Sequence, residues 1–598
     1  MKRTFEHALF PMILAVLAIL LCLPGLDLGW VLDDQVHRVA LTGPEELPAM
    51  ARSPVDLFAF VGPHWSTHPG SVPWWARDDF RFAFLRPLTG LTHDLDHRLW
   101  PEEPRWMHLH SFFWFALVIL AAARVYRRLA PPGELWIAGL AALLFAVDDS
   151  HGTPVIWIAH RNAVLAMFFG LLSLLAYHRW RREGWRPGSW LAPLFLLLGV
   201  LSGEAAVACG AYLLAYALFL DQGPLKDRLL ALLPCATVGV LWRLAYRALG
   251  YGAGGSSMYV DPGSEPLRFL AFAWERAPLL LWGQFSFPPA DIYNLLSQEA
   301  AQGFHRLAVV SILVFGALLV PVLRRDRLAR FWACGTLLAV LPACAVTPSQ
   351  RLLFYMSLGG AGLMAIFLAR AWGRADGFPV VWRVTARVAS IPLLLIHLLL
   401  GPWGLWSTTD SWRQLGSNFQ KASASLPSEP GIEDQWAVVV NAPAAYFVIS
   451  APFDQVLDGQ RIPRGTLPLA TSLYGMEVER MGPKSLTIRP EGGFLLPPGT
   501  APPGVEPETF DIDYSLQGMD QLFTTGRPFE VGDRFERVGM TAEVVRLTDD
   551  GRPAEVIFHF ETALEEASWH WLHWQEGAFA PWPIPSIGET VHLPAPTW

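Results

Sequence analysis

Two adjacent carboxylates, Asp33 and Asp34, open the stretch "DDQVHRVALTGPEEL" a few residues after the apolar run "LFPMILAVLAILLCLPGL". Acids in that position either mark a segment exposed to water or supply a general base where a lipid-borne substrate meets an aqueous one. Successive side chains diverge along an extended chain, so only one of the pair can face a given atom; the other is left to cap or to bind a cation. Other ionisable residues stand where a hydrophobic chain normally avoids them. They are Arg86 in "FLRPLTGLTHDLDHRLW", Asp148, Asp149, His151 and Arg161 in "VDDSHGTPVIWIAHRNA", Glu204 in "LSGEAAV" and Arg351 in "TPSQRLLFYMSLG". Charges at membrane depth are costly and mark functional sites by default. The plain alternatives are arginines snorkelling to lipid headgroups and acids paired between helices. His93 and His97, four apart, share a helix face and read either as metal ligands or as polar surface.

The elements that must position these residues are membrane helices. The chain has 598 residues, 52% hydrophobic and 16% charged, with a mean hydropathy of +0.31, and a bilayer crossing needs about 20 apolar residues. Eleven runs qualify as spans, at 8–26, 107–129, 134–148, 154–177, 189–202, 204–220, 228–249, 305–323, 331–346, 352–370 and 386–406. With the N-terminus cytoplasmic, the loops expected inside ("ARVYRRL", "HRWRREGWR", "KDR", "RRDRLAR" and 370–387) are all basic, whereas "DDSHGTP", "SGE" and "VTPSQ", expected outside, are acidic or nearly neutral. That alternation predicts that Asp33, Asp34 and the C-terminus are extracytoplasmic, and that nearly all the ionisable residues above sit at the outer ends of their helices. Compact loops favour a bacterial inner membrane. Two outer loops are long. The one at 27–105 carries "HWSTHPGSVPWWARDDFRF" and is expected to lie along the interface. The one at 251–304 carries "LRFLAFAWERAPLLLWGQF", expected as an interfacial or re-entrant helix able to cover a lipid-facing site.

Region 1–410 is therefore read as the transmembrane part, 411–432 as a linker and 433–598 as a β-rich soluble domain in the periplasm. "WAVVVNAP", "AYFVIS" and "KSLTIRP" are strand-like, and "TAEVVRL-TDDG-RPAEVIFHF" is a hairpin. "SWHWLHW" suits either sugar stacking or a tryptophan core. From Pro430 onward ten Lys/Arg face 24 Asp/Glu, which argues against nucleic acid as a partner. The tail has no cysteine and the chain no CxxC, so disulfides and the common zinc motifs are excluded there.

In order and spacing, "WVLDDQVHRVALTGPEEL", "RPLTGLTHDLDHRLW", "DDSHGTPVIWIAHRNA", "LSGEAAV" and "PSQRLLFYMSLG" resemble the GT-C superfamily of integral-membrane glycosyltransferases, most closely the O-mannosyltransferase-like proteins. The likeness covers roughly residues 8–370. The tetratricopeptide repeats of those proteins are absent, and the β-rich tail stands in their place. The resemblance implies a sugar donor on polyprenyl phosphate and inverting transfer, mannosyltransferase-like or of another hexose, to an acceptor hydroxyl of protein, lipid or glycan at the outer membrane face. It assigns Asp33 as the base, with Asp34 as its partner or alternative, and Arg86, Arg161 and Arg351 as holders of the donor phosphate, since a guanidinium matches two phosphate oxygens. Asp148, Asp149, His151 and Glu204 are left to line the acceptor side or to bind a divalent cation, the only cofactor this reading leaves open. A lipid-linked-sugar flippase and a non-catalytic scaffold of the same fold are the alternatives.

Overall fold

The computed structural model describes residues 2–597 except 66, 69, 71 and 374–376, so part of the 370–387 connection and of the tryptophan-rich stretch lies outside the described residues. Every one of the eleven apolar runs carries a helix, from Phe10–Cys22 to Gly401–Ala424. Among the described residues six helical segments are long and apolar enough to cross a membrane: Phe10–Asp27, Pro104–Leu129, Ile158–Glu183, Gln298–Arg325, Phe354–Trp372 and Val380–Ala424. Leu135–Ala146, Gly188–Ser202 and Glu204–Phe219 are shorter apolar helices. The chain is a polytopic helical membrane protein with a β-rich C-terminal region.

Phe354–Trp372 is the central helix; all of it is buried except Arg370 and Trp372. Its "SLGGAGL" lets neighbours approach closely, as small residues do at membrane helix contacts. A Cβ on Gly359 would lie 2.1 Å from Thr336 Oγ1, and one on Gly362 would lie 2.7 Å from the Trp332 ring. The run expected as one span at 154–177 is instead broken. Short turns occupy Asp149–His151, Gly152–Ile156 and Ile158–His160, and the long helix begins only at Arg161. The 251–304 loop contains the helix Pro266–Phe285, whose second half is buried from Leu279 to Gln284.

The two long loops are tied together by a small antiparallel sheet, β1 (Ala59–Val61), β2 (Arg81–Ala83) and β3 (Gly252–Gly254), in that order. The C-terminal region is built on two sheets. One is antiparallel, in the order β13-β6-β7-β10-β9-β8, from β6 (Met476–Gly482), β7 (Ser485–Pro490), β8 (Arg534–Arg537), β9 (Met540–Leu547), β10 (Pro553–Phe560) and β13 (Thr590–Leu593). It contains the expected hairpin, β9–β10. The second, in the order β12-β11-β4-β5, comprises β4 (Trp436–Ala442), β5 (Gly465–Thr471), β11 (Trp569–Gln575) and β12 (Ala578–Pro581). Here β4 runs parallel to both β5 and β11.

Three expectations are corrected. "AYFVIS" is not a strand but the start of the helix Ala445–Leu457, because parallel neighbours β4 and β5 need a crossover element between them. Residues 411–424, read as linker, prolong the helix Gly401–Ala424. Trp74 and Trp75 of the first loop, expected at the membrane interface, are instead packed inside protein. Both are 1% exposed, inside the core of the β-rich region. Trp74 Nε1 donates to Leu469 O at 2.8 Å, and its ring meets Phe494, Phe535 and Phe558 edge-on. The tryptophans of "SWHWLHW" (Trp569, Trp571 and Trp574) are core residues too.

Candidate functional site

Asp33 and Asp34 begin the helix Asp33–Thr42, where acids favour the positive end of a helix. The residue before them, Leu32, holds φ 50°, a left-handed conformation that a leucine adopts only under constraint. The pair divides as neighbouring side chains must. Asp34 is buried and wholly occupied by backbone: one oxygen accepts from Val31 N at 3.0 Å and the other from Ala159 N at 2.6 Å. It therefore ties the first loop to the broken segment before Arg161. Burial pushes its carboxyl up to about 8 against the pull of those two amides. Asp33 is half-buried and meets side chains instead. Tyr446 Oη donates to its Oδ1 at 3.3 Å. Burial raises the Asp33 carboxyl above the ordinary range, while Arg351, Tyr446 and Arg86 act in the opposite sense.

The three arginines differ in what they already hold. Arg161 is fully buried and spent: Nη1 pairs with Asp96 at 2.5 Å, Nε donates to Ser111 Oγ at 2.9 Å and Nη2 to Met107 O at 2.8 Å. Like Asp33, it is absent from the lining of both cavities described below. Arg86 pairs with Glu204 at 2.8 Å and lies over the Phe84 and Phe58 rings; both members of the pair line the first cavity described below. Arg351 is half-buried, and its nearest recorded partner is the Trp157 ring, 5.7 Å from the guanidinium carbon. Among the described residues it makes no ion pair.

Arg351 lies between two cavities. The first, about 350 Å³, is lined mainly by apolar groups such as Phe84, Trp242, Phe269 and Leu352, with Arg86, Arg243 and Arg351 as its cations; Arg243 is paired with Asp261 at 2.5 Å. The second, about 880 Å³, opens between the helical body and the C-terminal region, and its wall includes Tyr293, Asn294, Gln302, Arg351, Met519 and Gln521.

Asp148, Asp149 and His151 form a separate polar cluster. Asp148 accepts from Ser150 N at 3.0 Å and from Gln284 Nε2 at 3.2 Å. Gln350 Nε2 donates to both Asp149 oxygens at 3.1 and 3.2 Å, and burial followed by the Asp148 charge pushes the Asp149 carboxyl up to about 8. His151 Nε2 lies 3.0 Å from Ser357 Oγ, its ring packed against Phe145 and Phe354. These partners use the cluster internally, and among the described residues no group of three His, Cys, Asp or Glu is arranged to hold a metal ion. The same holds for His93 and His97. His93 is buried 5.3 Å, ring to ring, from His37, and burial holds both imidazoles well below their usual range.

Sequence reasoning missed Asp96, Gln350 and Tyr446. Asp96 sits in a quoted motif, and its partner Arg161 is 65 positions on. Tyr446 lies 413 positions from Asp33 with no local signal.

No family model matches the chain. Over 130 residues, 20% of this chain and 14% of the relative, it is 32% identical to Protein O-mannosyl-transferase TMTC1 of Homo sapiens; the match thus spans a small part of that protein. Among solved structures, the oligosaccharyltransferase of Archaeoglobus fulgidus in the apo form aligns over 77% of this chain and 65% of its own, at 13% identity and a TM-score of 0.42. ArnT from Cupriavidus metallidurans in the apo state aligns over 76% and 88%, at 12% identity and 0.39. The same ArnT bound to undecaprenyl phosphate aligns over 78% and 86%, at 12% and 0.35.

Proposed function

We propose that the chain is an inverting membrane glycosyltransferase that moves a hexose from a polyprenyl-phosphate donor to an acceptor hydroxyl at the outer membrane face. The observation that carries this reading is the contrast among the arginines: Arg161 and Arg86 are committed to Asp96 and Glu204, whereas Arg351, among the described residues, makes no ion pair and lies within electrostatic reach of Asp33. An apolar cavity headed by such a cation suits a phosphate on a hydrocarbon tail. The wetter cavity on the far side of Arg351 suits the acceptor. Asp33 takes the proton of the attacking hydroxyl as its oxygen bonds to the anomeric carbon. The bond from that carbon to the phosphate oxygen breaks, and the electron pair leaves with the polyprenyl phosphate, whose charge Arg351 offsets. Asp34, held by two amides, fixes the turn on which Asp33 stands. Mannose is the hexose we propose, after the name of the human relative. The basic inner loops support a cytoplasmic N-terminus and an extracytoplasmic C-terminal region; from the compact loops we place the protein in a bacterial inner membrane.

The test is transfer from undecaprenyl-phosphate mannose by the full chain in nanodiscs, offered protein, lipid and glycan acceptors. Asp33→Asn is expected to lower the rate by at least about 100-fold, the usual scale for a general base, while leaving donor binding intact. Arg351→Ala is expected to weaken binding of undecaprenyl phosphate itself. Wild-type rates in Asp33→Asn would remove the base; movement of the lipid across vesicles without consumption of donor would replace the reaction by transport.

A further inference from the structure

Besides walling the larger cavity, the C-terminal region touches Asp33 through one side chain. Tyr446 stands in the first turn of the helix Ala445–Leu457 and directs its hydroxyl at Asp33 Oδ1. Among the described residues no other hydrogen bond to the Asp33 carboxylate is recorded. This meeting is fixed from both sides. Val36 and Val39, on the helix that Asp33 opens, pack with Phe453 and Val456 of the tyrosine's own helix in one buried apolar cluster. The start of that helix is anchored by Asp520, which accepts from Ala445 N at 2.9 Å, and the Tyr446 ring stands edge-on to Phe419 at 5.4 Å. Two helices 400 residues apart in sequence are thereby locked with a tyrosine hydroxyl against an acid.

Resting on the glycosyltransferase reading above, we propose that Tyr446 is a positioning residue: by holding Oδ1 of Asp33 it leaves Oδ2 as the oxygen offered to the acceptor hydroxyl, and it makes the soluble region an obligatory part of the site. The groups that bear on Asp33 are Arg351 and Arg86 from the helical body, Asp34 beside it and Tyr446 opposite it. Burial and the neighbouring carboxylate hold the tyrosine hydroxyl well above its usual value, so it remains a donor throughout the working range. A donor to the ionised carboxylate stabilises that form, so its removal raises the pH at which Asp33 loses its proton.

Tyr446→Phe in the full chain keeps the ring and removes only the donor. The decisive readout is carbodiimide labelling of Asp33, mapped by mass spectrometry against pH in nanodiscs, which needs no substrate. Its midpoint is expected to rise by about one pH unit, with Asp34 unmoved, and the acid limb of transfer from undecaprenyl-phosphate mannose should rise by the same amount with KM for the donor unchanged. Tyr446→Leu, which also loses the ring, should give the same displacement with a larger loss of thermal stability. An Asp33 midpoint identical in wild type and Tyr446→Phe overturns the proposal. If the midpoint moves but no variant, nor the wild type, transfers sugar, the proposed reaction fails while the contact stands.

Discussion

At the scale of single residues, neighbours of like chemistry have unlike roles, and substitution separates them. Asp33→Asn is expected to leave melting unchanged and to abolish transfer. Asp34→Asn is expected to do the reverse first: an amide can accept from only one of the two backbone donors at Val31 and Ala159, and the stranded N–H costs about 1–3 kcal/mol. Differential scanning fluorimetry beside a transfer assay distinguishes the two. Arg161→Met leaves the buried Asp96 carboxylate with His110 as its remaining partner, at 2.6 Å, and is expected to cost about 3–5 kcal/mol with no specific effect on phosphate binding in the protein that remains folded. The pH profile carries a sign as well. Because burial raises the Asp33 carboxyl, the base form is lost as pH falls through a value above the ordinary aspartate range, so the acid limb of the rate should lie higher than a solvent-exposed aspartate would place it.

At the scale of elements, the sequence was legible wherever periodicity or length carried the signal. All eleven apolar runs hold helices, and the "TDDG" turn joins β9 to β10. "AYFVIS" failed because a short apolar run reads equally as strand or buried helix, and only the parallel pairing of β4 with β5, invisible locally, decides between them. The site was legible to the same limited degree: the acid pair and Arg351 stand out as types and spacings, whereas Tyr446 and the commitment of Arg161 depend on long-range packing. The "PWW" stretch misled for a physical reason. Tryptophan's preference for the headgroup region and its preference for a protein core both follow from a large apolar ring with one polar handle, and here the handle is satisfied by Leu469 O. Trp74→Ala should therefore cost about 3–5 kcal/mol. Hydrogen exchange should show it as lost protection in β1, β2 and the β6–β10 sheet together, where an interfacial tryptophan would leave the sheet untouched.

At the scale of the whole molecule, the question is whether the C-terminal region is an appendage that moves freely or a wall of the candidate site. Two buried tryptophans remove roughly 150–250 Å² each from water, which at about 25 cal/mol per Å² is on the order of 10 kcal/mol before the entropy of ordering the loop is set against it. The cluster joining Val36 and Val39 to Phe453 and Val456 adds a second anchor, and the continuous helix Gly401–Ala424 removes the hinge that a flexible linker would provide. Both anchors seize the first loop, the same segment that carries Asp33. A chain ended after Ala424 should consequently keep the helical body but lose the environment of Asp33. Trp74, Trp75 and Phe80 would be exposed, the helix Asp33–Thr42 would lose its partner face, and the larger cavity would lose the wall formed by Met519 and Gln521. The expected result is a truncated protein that still binds undecaprenyl phosphate through the apolar cavity and Arg351, yet transfers no sugar and shows fast exchange across residues 33–42 and 59–83. Full transfer by that fragment would show the tail to be accessory, whereas loss of undecaprenyl-phosphate binding as well would place the anchors' influence deeper in the bundle than the contacts described here reach.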